Sequence, residues 1–157
     1  MTALSDQQIS ELDAALASLE ACVETPVVPG ELAEWCGRAL AALEMCYETY
    51  LEQARPAHER QLAEIREQDQ EMSTLADQLA GENEAIVVEL QRLRSLVHVY
   101  AAHVDPKAEG SDEDTPEVDR QSLVQEILAV VIRMRTLERS LQTWFVEAFQ
   151  RDRGVAD

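Results

Sequence analysis

The chain has 157 residues, enough for one domain with a modest core. Its 13 Lys and Arg against 31 Asp and Glu leave a formal charge of −18, which opposes binding to nucleic-acid phosphate or anionic membrane and favours basic partners. Hydrophobic residues make up 46%, mostly Ala and Leu, with only five Gly and five Pro, so the composition is that of an all-α protein.

The N-terminal decapeptide MTALSDQQIS lacks the basic and apolar regions of a secretory signal, and no run approaches about 18 apolar residues. The expectation is a cytoplasmic protein without membrane spans. Ser5 and Gln8 form a capping box, so helix one should span about 6–24, with Ile9, Leu12, Leu16, Leu19 and Val23 on its buried stripe. The segment TPVVPG, at 25–30, ends it because two prolines cannot continue a helix. Helix two should cover about 31–54, antiparallel to the first, with a stripe of Cys36, Leu40, Leu43, Tyr47 and Tyr50 led in by Leu32 and Trp35.

Pro56 is then expected to end or kink that helix near Ala54, with the chain restarting at once. From Leu62 a heptad runs without a slip, Leu62, Asp69, Ala76, Asn83, Leu90 and Val97 on one seam and Ile65, Met72, Leu79, Ile86, Leu93 and Tyr100 on the other. This predicts an unusually long third helix over about 57–103, roughly 70 Å, continuous through Gly81 because one glycine costs only about 1 kcal/mol, with a break at AGEN, residues 80–83, into two helices as the rival reading. The polar seam residues Asp69 and Asn83 are candidates for setting register, at some cost in stability. A Pro- and Gly-containing acidic loop should follow at 104–115, and then a helix over about 116–150, capped by Thr115 and Pro116. Its stripe is Leu123, Ile127, Val130, Met134, Leu137, Leu141, Trp144 and Ala148, and 151–157 is a short tail. The architecture expected is a single-domain, antiparallel up-down bundle of four helices.

The motifs of catalysis are missing. A di-iron bundle needs Glu-x-x-His pairs, and this chain has none; His58 beside a helix start and the pair His98 and His103, five apart, suggest solvated side chains. Glu44 and Glu48 fall off the apolar stripe. Cys22, Cys36 and Cys46 form no CxxC and lie on apolar stripes, so buried reduced thiols are expected. There is no Gly-rich phosphate loop and no nucleophile turn. The expectation is a non-enzyme without metal or cofactor.

The C-terminal helix carries three of the seven aromatics, Trp144, Phe145 and Phe149, followed by Arg151 and Arg153. Its apolar arc widens there, which suits either closure of the bundle end or a partner-docking surface. The stretch LAEWCGRALAALEMCYETYLEQARPAHERQLAEIREQDQEM resembles hemerythrin-like domains in its helix, proline connection and following helix with a polar pair. The resemblance, over about 31–150, implies the bundle. The family's ligand positions fall on Cys46 or Tyr47, on Gln68 and Asp69, and on 134–138, none of which supplies a histidine. Two functional expectations follow: a helical interaction or regulatory module that binds a protein partner or, as a homodimer, itself, or a small-ligand or metal-binding bundle with a pocket near Cys46, Tyr47, Asp69 and the last helix.

Overall fold

A computed structural model describes the backbone of residues 2–104 and 117–154, and the side chains of residues 11–104 and 120–150. The elements are α1 (Thr2–Glu24), α2 (Leu32–Thr49), a π-helical turn (Tyr50–Ala54), α3 (Arg55–Gln68), a 3-10 turn (Gln70–Met72), α4 (Ser73–Val104) and α5 (Glu117–Gly154). Among the described residues there is no strand, and the helices form an all-α bundle. No helix among the described residues is long and apolar enough to cross a membrane. Helix α1 begins earlier than Asp6: Ser5 lies inside it, since nothing in Thr2, Ala3 and Leu4 interrupts a helix. The predicted acidic loop, the cap at Thr115 and Pro116 and the side chains of Ile9, Arg151 and Arg153 lie outside the described residues.

The turn after α1 uses Gly30 at φ +90°, a conformation that a Cβ would strain, while Glu31 N–H donates to Val28 O at 3.0 Å. The Trp35 indole N–H then donates to Cys22 O at 3.3 Å and ties the α1–α2 hairpin from inside. The interior is filled by Leu12, Leu16, Leu19 and Val23 from α1, Trp35, Cys36, Ala39, Leu43 and Cys46 from α2, Leu90, Leu93 and Val97 from α4 and Ile127, Val130 and Met134 from α5; the buried face of α2 is turned from the predicted stripe, with Ala39 and Cys46 inside and Leu40 and Tyr47 only partly buried.

Two sequence expectations are corrected here. Pro56 does not end a helix, because α2, the π turn and α3 follow one another without leaving helical backbone from Leu32 to Gln68. Proline cannot donate to the carbonyl four residues back and its ring crowds that carbonyl; a π turn widens the helix just before it, with Arg55 N–H bonding to Tyr50 O, five residues back. The continuous helix over 57–103 is likewise overturned. The chain breaks at Asp69, whose backbone is extended (φ −148°, ψ 101°) and whose carboxylate accepts Glu71 N–H at 3.0 Å. Asp69 is therefore the cap of a helical hairpin and not a seam residue that sets register. Beyond it α4 does run unbroken through Gly81, which is exposed, with open space where a Cβ would stand.

The break folds the seam back on itself. Contacts from the α2–α3 helix to α4 pair Glu44 with Arg94, Tyr47 with Gln91, Arg55 with Glu84 and Arg66 with Asp77, so numbers rise on one side as they fall on the other. The same holds between α4 and α5, where Glu82 meets Arg133 and Arg92 meets Glu126. A second, smaller cluster of Ile65, Met72 and Ala148, with Leu75, Trp144 and Phe145 against it, joins α3, α4 and α5 near the Asp69 hairpin.

Candidate functional site

The polar feature of the interior sits where the π turn meets α3. Tyr50 is fully buried, and His58 and Asn83 are only 3% and 2% exposed. The Tyr50 hydroxyl donates to Asn83 Oδ1, and His58 Nδ1 lies 3.2 Å from the same oxygen. His58 Nε2 lies 2.7 Å from Glu138 Oε1 on α5. The Tyr50 and His58 rings meet edge to face with centroids 5.7 Å apart. Three helices and the π turn thus contribute one chain of side-chain contacts.

The π turn makes this possible. Tyr50 and His58 are eight residues apart, and at about 100° per residue an uninterrupted α-helix would turn them about 80° away from each other. One extra residue taken up in the wide turn reduces the effective spacing to seven and puts both on one face. The buried residues record the slip: Leu43 and Tyr50 are seven apart, Tyr50 and His58 eight, His58 and Ile65 seven. The expectation that His58 is solvated is corrected for this reason; its signal lay in the one-residue step of the seam, hidden by taking Pro56 as a stop. Asn83, expected as a polar seam residue, is the hub that accepts from two helical segments.

Electrostatically the network is surrounded by carboxylates. Burial pushes the Tyr50 phenol upward, and the negative charges of Glu138, Glu82 and Glu84 push it further, with Arg55 acting the other way. A histidine facing a carboxylate and a tyrosine are the parts of a general acid–base site. Here both ring nitrogens of His58 already face protein oxygens, so the ring's bonding capacity is used inside the fold.

No protein-family model matches the chain. No curated protein and no solved structure matches it either.

The other sequence-selected residues fall in separate places. Cys46 is buried and donates its thiol to Ala15 O at 3.1 Å, Tyr47 accepts from Gln91 and lies under the Arg94 guanidinium at 4.4 Å, and Asp69 caps the far hairpin. Cys46 and Asp69 are separated by an uninterrupted helical path, over 30 Å at about 1.5 Å per residue, so no common pocket joins them. A hollow of about 270 Å³ lies instead against the α1–α2 turn, between Val28, Pro29, Leu32, Tyr100 and Arg120. Among the described residues no group of three or more His, Cys, Asp or Glu could hold a metal ion.

Desolvation raises all three thiols, Cys36 to about 11 and Cys46 to about 12. A group raised by folding favours the fold below its unfolded value and loses that contribution as pH climbs to its folded one. Thermal stability is therefore expected to decline between pH 9.0 and about 12 as the unfolded chain ionises Cys36 and Cys46 first. A Cys36→Ala, Cys46→Ala chain should show a flatter profile in melts followed by circular dichroism, and an equally steep one would contradict the assignment.

At the C-terminal end Trp144, Phe145 and Phe149 are each partly buried, with the two Phe rings 4.7 Å apart. Trp144 packs on the Ile65–Met72–Ala148 cluster without being enclosed by it. Trp144→Ala should cost about 1–3 kcal/mol in urea unfolding, below the figure for a fully buried Trp. A loss near zero would place the ring outside the cohesive surface.

Proposed function

We propose that this chain is a non-enzymatic helical interaction module that works through protein–protein contacts in the cytoplasm and needs no cofactor. The observation that supports this reading is the closure of the polar interior on itself. Tyr50, His58 and Asn83 are spent on one another and on Glu138, which suits a role in specifying how helices pair. Chemistry directed outward then falls to the helix surfaces. The resemblance to hemerythrin-like domains extends, in this reading, to the bundle and not to a metal centre.

Photo-crosslinking side chains placed at exposed apolar positions, Met45, Val88 and Ile132 among them, are expected to trap a discrete protein adduct in cells. Stoichiometric metal by elemental analysis, or a small molecule retained through native mass spectrometry, would instead favour the ligand-binding alternative and sink the module.

A further inference from the structure

We infer that the flank formed by the outer faces of α4 and α5 is a docking surface for a second copy of this chain. The inference rests on the reading that the chain acts by protein contact, and adds the surface and the partner.

The outward row of α4 runs from Thr74 to Ala102 at alternating spacings of four and three, the period of a helix-packing seam but on the side away from the core. It includes Gly81, Ala85, Val88, Ser95 and Val99; all its positions are exposed except Ala85, which is partly so, and its only charge is Arg92. On α5 the row from Ser122 to Gln150 repeats the pattern with Ala129, Ile132, Thr136 and Val146, entirely exposed and with Arg139 as its only charge. Neither row contains an acid, in a chain where 31 of 157 residues are acidic. The equivalent outer row of α2 and the π turn, from Glu34 to Glu52, holds three acids in six positions. Val88 and Ile132 are each 63% exposed, Val99 56% and Val146 47%.

The two rows look to the same side. Arg92 and Glu82 on α4 reach Glu126 and Arg133 on α5, placing the helices side by side, and both rows point away from the shared core. The charges between them are already partnered, Arg92 with Glu89 and Glu126 and Arg133 with Glu82, so the flank offers no strong net field.

Charge selects the occupant. A basic partner would be drawn to acid-bearing faces such as the outer row of α2, whereas two chains of charge −18 can approach closely only where acids are missing. The residues fit helix-on-helix contact, because Gly81, Ala85 and Ser95 permit close approach while the valines and Ile132 supply apolar area. The size fits too. The 32 residues of α4 give a strip about 48 Å long, and two helices make it about 20 Å wide. That is roughly 900 Å² per protomer, comparable with the ~800 Å² per partner of a stable complex, and a two-fold axis would bury the same patch on both copies.

Light scattering behind size-exclusion chromatography should give twice the 17.6 kDa chain mass at about 100 µM. Val88→Glu with Ile132→Glu puts four acids into the symmetric contact and should return the mass to one chain. Val28→Glu, at an exposed apolar position in the turn between α1 and α2, should leave it doubled. Circular dichroism checks that the double variant folds, and Ser95→Glu replaces it if it does not. A single-chain mass for the unaltered protein, or a doubled mass that survives the acidic substitutions, overturns the inference. The first result leaves the contact-based reading to the crosslinking experiment, whose failure alongside a retained ligand would remove both.

Discussion

Asn83→Ala is expected to destabilise the fold by about 3–5 kcal/mol in urea unfolding, far more than the loss of one polar side chain at the surface. The Asn83 oxygen serves both the Tyr50 hydroxyl and the His58 ring, so its removal strands two buried polar groups and opens a gap between them. Tyr50→Phe should cost only about 1 kcal/mol, because it removes a single donor and leaves His58 with both of its oxygens. The comparison carries the test. If the network were incidental, the two substitutions would differ only by the volume removed; if Asn83 is the hub, Asn83→Ala in a Tyr50→Phe background should cost less than it does alone. A fully additive pair would remove the coupling on which the description of the network depends.

Much of this architecture is legible in the residue order, because helix stripes are local. The stripe of α1, the heptad from Ala76 to Tyr100 and the face from Leu123 to Leu141 each emerge from spacing alone, and nearly all of those seam residues are buried, whereas on α2 the spacing selects Leu40 and Tyr47, which are only partly buried, in place of Ala39 and Cys46. Asn83 stands out as a polar residue on an apolar seam. Less legible are the two places where one residue has two plausible jobs. Asp69 lies in phase with Leu62 and Ala76, so periodicity counts it as part of a helix. Only the competing hydrogen bond from Glu71 N–H to its carboxylate makes it a break. Pro56 is a reliable stop when the preceding turn is α-helical, and it loses that meaning once a π turn moves the crowded carbonyl aside. A helix that ends at Pro56 does not put His58 on the face of Tyr50, so the polar network stays hidden although three of its four members, Tyr50, His58 and Asn83, stand out in the sequence for other reasons. The middle spacing in the series from Leu43 to Ile65, eight where its neighbours are seven, is the signal that survives in the sequence. It acquires meaning only when continuity through Pro56 is assumed.

The π turn itself makes the strongest prediction about the fold. Inserting one alanine after Gln53 should turn everything after it by about 100° relative to α2, carrying His58, Leu62 and Ile65 off the core while α2 stays in place. The loss of those three buried side chains, at about 1.5–3 kcal/mol for each aliphatic one and more for the unpaired Glu138 and Asn83 left behind, amounts to about 5 kcal/mol or more. The half of the bundle built from α3 and the end of α5 should then show rapid amide exchange while α1 and α2 remain protected. Deleting Gln53 works in the opposite sense. Removal of one residue from a π turn restores α-helical spacing without changing the phase downstream, so His58 keeps its place opposite Asn83. What remains is the clash of Pro56 with the carbonyl four residues back, about 3 kcal/mol. The deletion combined with Pro56→Ala should therefore recover close to full stability, and the deletion alone should not. If the insertion were tolerated as well as that combined variant, the facing of Tyr50 and His58 would not depend on the π turn, and the seam would have to be held by the α3–α5 contacts alone.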